Sequence, residues 1–149
     1  MSIPADIEVA CYGNRARLTA RALTRLFNAR LRPLGLQITQ FGLLVTISRG
    51  AHGSVASMAD QLDAEPSALL RNLKLLEERG LLRSEGGRGR GGRRLHLTEA
   101  GQAILQQAAP IWAQVHAELG AALGAKADET RAALARLEAA AAAINQERS

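Results

Sequence analysis

One stretch of the chain, residues 57–98, constrains the fold more than any other, because two helical patterns and a hairpin pattern follow one another directly. It reads SMADQLDAE, then PSALLRNLKLLEERGLL, then RSEGGRGRGGRR and LHLT. Long helical patterns lie on both sides of it. The sequence therefore predicts a mainly α fold with one small β-hairpin.

The second helix of this stretch has well-marked ends and two different faces. Pro66 suits a first helical position, and Gly80 suits a left-handed cap just past the end. Leucines spaced by four and three residues share one face, whereas the opposite face carries Ser67, Leu70, Arg71, Lys74 and Glu78. Free N–H groups at the helix start would also attract an anion. Taken alone, the pattern fits an ordinary amphipathic helix equally well.

The hairpin pattern favours nucleic acid. Residues 81–84 and 93–97 are strand-like, with Leu95 and Leu97 on one side and Arg94 and His96 on the side that faces water. The loop between them, GGRGRGG, is rich in glycine. Five arginines fall within twelve positions, with Glu85 as the single acid: Arg83, Arg88, Arg90, Arg93 and Arg94. A basic tip beside a helix with a basic outer face predicts a polyanionic partner, and solvated arginines are the alternative.

The order of these segments resembles the MarR family of winged helix-turn-helix transcription regulators. LEERGLL at 76–82 and LTEAG at 97–101 carry the resemblance, because their separation is more specific than either fragment alone. RPLGLQITQFGLL at 32–44 is similar to that family's junction between its first two helices. The resemblance covers residues 8–145.

The resemblance implies a homodimer on double-stranded DNA, with a recognition helix in each major groove and a wing at the minor groove. The pseudo-palindromic operator would have half-sites about one helical turn apart. The chain would be one domain, 1–149, with dimerisation helices at 8–34 and 98–147 and a winged helix-turn-helix lobe at 36–97. The expected DNA-binding residues are Ser67, Ala68, Leu70, Arg71, Lys74, Arg88, Arg90 and Arg93.

Two departures from the family pattern affect these expectations. The Asp and Arg common in the family's wing correspond to Gly89 and Gly91, so the wing-tip role falls to Arg90 or Arg88. The recognition helix has apolar residues where polar ones are common, so direct base readout should be thin. Ser67 and Arg71 remain the candidates for base edges or phosphate, and Leu70 or Ala68 for a thymine methyl.

The flanking helices are expected to form the dimer interface. In the helix after Thr98, Leu105, Trp112 and Leu119 are seven residues apart, which is typical of a coiled-coil seam, and Pro110 should kink it. The last helix carries Leu134, Leu137, Ala141 and Ile144 at three-four-three spacing.

The residues just before the central stretch are also expected to be ordered. Val55 and Ala56 should form a short strand that completes the wing sheet. Ser57 should then cap the next helix, with Asp60 in capping-box position.

The expected regulation involves either a small ligand or an oxidant. The resemblance implies a ligand pocket, for which Leu34, Ile38, Phe41 and Trp112 are the candidate walls, although ordinary core packing also explains them. Some members of the family sense oxidants through a cysteine in the N-terminal helix, and Cys11 lies near the start of the first helix here. The alternative for Cys11 is a small buried apolar residue.

Composition limits the classes of function that remain for this protein. The net charge is +5, with 19 Lys and Arg against 14 Asp and Glu, and the single Cys fits a cytoplasmic protein without an internal disulfide. We expect no cofactor, no metal, no membrane span and no catalytic constellation. The primary hypothesis is a sequence-specific regulator of transcription. Repression is favoured over activation, because a dimer bound over a promoter blocks the polymerase. The alternatives are an architectural protein that coats DNA without choosing sites and a helical adaptor for another protein.

Overall fold

The computed structural model describes residues 10–50, 55–62, 64–86 and 94–147. In chain order the elements are α1 (Tyr12–Leu31), a 3-10 turn (Arg32–Leu34), α2 (Ile38–Ser48), α3 (Val55–Gln61), α4 (Pro66–Glu78), β1 (Leu82–Glu85), β2 (Arg94–Leu97), α5 (Glu99–Leu123), a second 3-10 turn (Gly124–Lys126) and α6 (Ala127–Gln146). The predicted fold class, mainly helical with one small hairpin, is confirmed. The chain divides into two compact units between Ile111 and Trp112, within α5.

The first unit is built around a leucine-rich core. Apolar side chains from α2, α3, α4, both strands and the first half of α5 pack into one cluster. From α4 the core takes Leu69, Leu73 and Leu76, the three leucines predicted to share a face. Pro66 is the first residue of α4, and Gly80 has a φ of 70°, so both predicted ends of this helix are confirmed.

The turn between α1 and α2 is tied to the far end of α4 by one arginine. Gly35 adopts the left-handed conformation, with a φ of 63°, and ends the 3-10 turn. The Arg79 guanidinium donates to the carbonyl of Gly35 at 2.6 Å and to that of Leu34 at 3.1 Å. The arginine of the LEERGLL fragment therefore fixes the end of α4 against the end of the first helical segment.

The start of α5 is joined closely to the residues that follow α4. The Thr98 hydroxyl donates to the Gly80 carbonyl at 2.6 Å and accepts the N–H of Gly101 at 3.0 Å, as a helix cap does. The Thr98 N–H donates to the Leu81 carbonyl at 3.1 Å. A Cβ on Gly101 would lie 2.0 Å from that same carbonyl oxygen. The two fragments LEERGLL and LTEAG thus meet at one packed joint. Gly101 is required at this joint because there is no room for a Cβ atom.

The hairpin strands are antiparallel, with Leu82 opposite Leu97 and Glu85 opposite Arg94. The expected strand at Val55 and Ala56 is wrong, because both residues belong to α3, in a VASMADQ segment where helix formers follow the valine. Ser57 is consequently inside α3 and does not cap it, so the proposed capping box with Asp60 is wrong as well. In the described part of the chain the sheet has two strands.

The second unit consists of the end of α5 and all of α6. Gly124, with a φ of 56°, ends α5 as expected. Pro110 lies inside α5, which is helical on both sides of it. None of the residues of α6 is buried, and Leu134 and Ile144 are among the exposed large apolar side chains. Leu134 and Ile144 thus belong to an exposed apolar stripe on α6.

Candidate nucleic-acid interface

The outward face of α4 presents four of the predicted DNA-binding side chains together. Ser67, Leu70, Arg71 and Lys74 are all exposed, and Leu70 keeps 49% of its surface accessible. Ala68 is half-buried at the side of the helix that faces α2, where it lines a cavity. The face is therefore narrow, with one hydroxyl, one apolar group and two cations.

A carboxylate that the sequence reasoning missed occupies the start of this face. Glu65 is the N-cap of α4, and its carboxylate accepts the backbone N–H of Ser67 at 3.2 Å and the Ser67 hydroxyl. The expectation that this helix start offers free N–H groups to an anion is therefore wrong for the Ser67 N–H, which donates to the Glu65 carboxylate. Proline at the first helical position marked the preceding residue as the cap, but Glu is not among the residues preferred there.

Glu65 is held in its charged form. The hydrogen bond from the Ser67 side chain, followed by that from the Ser67 backbone, keeps the pKa of the Glu65 carboxyl below its ordinary value. Because the folded pKa is the lower one, the cap contributes stability above the ordinary carboxyl pKa and loses it as the pH falls through the folded value.

Charges on the exposed face of α4 nearly balance. Lys74 and Glu78 form an exposed pair at 3.8 Å, one helical turn apart. Arg71 and Glu65 complete a set of two cations and two acids. Exposed ion pairs of this kind contribute little to the stability of the fold. Their main effect is on the electrostatic attraction between this face and a charged partner.

The described part of the wing is basic on its outer side. Arg83 and Arg94 are exposed, and Arg83 pairs with Glu85. His96 is half-buried, with Nε2 3.5 Å from a Glu85 oxygen, so the expectation that it faces water holds only in part. It lines a cavity beside the hairpin together with Ser48 and Gln102. The predicted wing residues Arg88, Arg90 and Arg93, with Gly89 and Gly91, lie outside the described residues.

Described residues of this lobe line cavities beside the helices and beside the hairpin. One of about 390 Å³ lies between the starts of α2 and α4 and includes Ile38, Glu65 and Ala68 in its lining. The other, of about 550 Å³, lies beside the hairpin and is lined by Ile47, Ser48, Gly50, Arg83, His96, Leu97, Gln102, Leu105 and Gln106.

The four residues predicted as ligand-pocket walls have different surroundings. Ile38 lines the smaller cavity, whereas Phe41 is buried in the core and Leu34 packs against that core. Trp112 belongs to the second unit, where its ring lies 4.1 Å from that of His116. Core packing accounts for Phe41, and the pocket as a set of four residues stays a prediction.

Cys11 is exposed at the N-cap of α1, where its Sγ accepts the N–H of Asn14 at 3.4 Å. The alternative of a buried apolar residue is therefore wrong. Among the described residues, no three His, Cys, Asp or Glu side chains gather as metal ligands would. In the same residues, no helix is both long and apolar enough to span a bilayer.

Comparison with solved structures gives the family. The transcriptional regulator MosR of M. tuberculosis is 35% identical, with a TM-score of 0.81, and the match covers 91% of this chain and 98% of that one. MarR of E. coli, solved as a mutant with operator DNA, is 26% identical with a TM-score of 0.75, over 90% and 97% of the two chains. A MarR family protein of M. tuberculosis, solved with salicylic acid, is 25% identical with a TM-score of 0.67, over 86% and 96%.

No protein-family model and no curated protein sequence matches the chain. These solved structures nevertheless match 86–91% of this chain, with TM-scores of 0.67–0.81. Because it is 35% identical to MosR over nearly the whole of both chains, the protein belongs to the MarR family of transcriptional regulators.

Proposed function

We propose that the protein is a homodimeric, sequence-specific DNA-binding regulator that represses nearby genes and leaves DNA when it binds a small ligand or is oxidised. The single observation that supports this most is the exposed face of α4 with Ser67, Leu70, Arg71 and Lys74, next to a basic hairpin. MosR has been solved with DNA, and MarR with its operator, in the same fold. We propose further that the protein acts in the cytoplasm and is not an enzyme.

The proposed division of labour follows from the charges. Phosphates attract cations, so most of the affinity should come from Arg88, Arg90 and Arg93 of the wing, which enters or straddles the minor groove. Helix α4 has balanced charges and should therefore contribute little to the affinity for phosphates. It should instead read base edges in the major groove through Arg71, with Leu70 or Ala68 against a thymine methyl.

The dimer is proposed from uncovered apolar surface. Helix α1 exposes Leu18, and α6 exposes Leu134 and Ile144. Residues 8–34 and 98–147 are the proposed dimerisation helices, and 36–97 the proposed DNA-binding lobe. Two lobes held at a fixed spacing would meet two half-sites of a pseudo-palindrome.

The second candidate is a protein that coats DNA without choosing sites, which the scarcity of polar groups on α4 favours. A coating surface should be uniformly cationic, however, and acids stand at both ends of this face. Selection of bound genomic fragments, followed by footprinting, tests the choice. A footprint confined to a palindrome in one promoter supports the regulator, uniform protection supports the coating protein, and no bound DNA supports an adaptor for another protein.

Substitution of the basic residues should separate affinity from specificity. We expect Arg71→Ala to weaken operator binding by about 1–3 kcal/mol and to relax the base preference at one position of each half-site. Replacing Arg88 and Arg90 together with Ala should weaken binding to all sequences and lower the salt slope by about 2. Titrations of operator and scrambled DNA at several salt concentrations measure both effects. Arg131→Ala on α6 is the control, and parental binding by both test variants would show that the DNA surface is misplaced.

Oxidation is the second route of release in the proposal. The Cys11 thiol is exposed at a helix start, where an oxidant reaches it. We expect mild peroxide to oxidise Cys11 and to lower operator affinity at least tenfold, and a reductant to restore it. Mass spectrometry and DNA titration on the same sample provide the measurement, with Cys11→Ser as the insensitive control. Unchanged affinity with Cys11 fully oxidised would leave a small ligand as the remaining signal.

A further inference from the structure

The N-cap of α4 is an acceptor surface within a proposed DNA interface. The Glu65 carboxylate accepts from the Ser67 hydroxyl and from the Ser67 backbone, and both residues are exposed. A hydroxyl has one proton to donate, and that of Ser67 is directed to Glu65. What remains outward at this end of the helix is a negative charge and lone pairs.

This arrangement determines which part of DNA the helix start tolerates. A phosphate has no proton to donate, and it would meet a carboxylate where helix starts usually hold anions. In the major groove, guanine presents acceptors at N7 and O6, thymine presents O4, and adenine places N7 beside its amino group. Cytosine presents its N4 amino group as a donor without an N7 next to it. A carboxylate is thus complementary to cytosine and opposed to most of the alternatives.

We propose that Glu65, oriented by Ser67, is a specificity-determining residue that selects cytosine at one position of each half-site. This inference rests on the proposed function, because it requires α4 to enter the major groove. It also changes the role predicted for Ser67, which becomes a positioning residue for Glu65 and does not itself contact phosphate. The lowered pKa of Glu65 supports the inference, since the acceptor stays ionised at neutral pH.

The test is a change of base preference in the full-length protein. Parent and Glu65→Gln are each used to select bound duplexes from a pool with randomised half-sites. The Gln side chain offers both a donor and an acceptor, which suits adenine N6 and N7. We expect the cytosine preference to fall by about tenfold at one position per half-site, with adenine gaining there, while the other positions keep their profile.

Two further variants separate readout from charge and from folding. Glu78→Gln removes the same charge at the other end of α4 and should keep the cytosine preference. Glu65→Asp keeps a carboxylate and a good helix cap, and should keep the preference as well, so it covers the case in which Glu65→Gln is unstable. The proposal is overturned by an unchanged profile for Glu65→Gln, or by loss of the cytosine preference in Glu78→Gln or Glu65→Asp. A parent that selects no DNA would instead reject the proposed function, and the inference with it.

Discussion

Replacing Gly101 with alanine is expected to lower the free energy of unfolding by roughly 3 kcal/mol, although alanine is the better helix former. The added Cβ would lie 2.0 Å from the Leu81 carbonyl oxygen, which is backbone and has no rotamer to adopt. That carbonyl also accepts the Thr98 N–H, so moving it weakens the hydrogen bond that fixes the start of α5. Thermal and denaturant unfolding at one protein concentration measure the loss, which corresponds to a midpoint about 10 °C lower.

The same helix contains the matched control. Gly120 has no atom within 4 Å of the position a Cβ would take. Gly120→Ala should therefore raise the free energy of unfolding by about 0.5–1 kcal/mol, as expected for glycine inside a helix. Opposite signs for one substitution at two sites of α5 would identify the joint with Leu81 as the cause. If Gly101→Ala were as stable as the parent, the close approach of α5 to Leu81 would be wrong.

Deleting residues 126–149 is expected to abolish the dimer and to lower operator affinity by about a hundredfold or more, because each lobe would then bind its half-site alone. Helix α6 has no buried residue among those described, so its removal should spare the core of the first unit. The truncated chain should be monomeric or insoluble, because it would lack the helix that we propose to cover apolar surface in the dimer. Analytical ultracentrifugation and DNA titration measure the two effects.

A paired set of point variants separates lost dimerisation from general damage. Leu134 and Arg136 are both exposed on α6, but only Leu134 belongs to the apolar stripe. Leu134→Gln should raise the dimer dissociation constant at least tenfold, while Arg136→Gln should leave it unchanged. A stable dimer after the truncation would contradict the proposed role of α6.

Local patterns in the sequence predicted helix α4 well. Pro66, Gly80 and the three inward leucines mark its ends and its buried face by rules that involve neighbours within a few residues. The strands were predicted to within one residue at each described end, because alternation around Leu95 depends only on the local pleat. Where helix formers follow a β-branched residue, as after Val55, the same rules misassigned a helix start as a strand.

Features that depend on distant residues were not predictable from local pattern. The need for glycine at 101 comes from a carbonyl twenty positions earlier, and the role of Arg79 comes from carbonyls more than forty positions earlier. Glu65 was missed for a different reason. It is an uncommon cap, and only the structure shows that its exposed carboxylate accepts from the backbone and the hydroxyl of Ser67.

The Arg79 contact has a consequence for how a distant signal would reach DNA. One guanidinium holds two carbonyls at the end of the α1 segment, and it stands directly after α4 in the chain. Because these two hydrogen bonds join the turn between α1 and α2 to the residue that follows α4, we expect a displacement of that turn to displace this end of α4 as well.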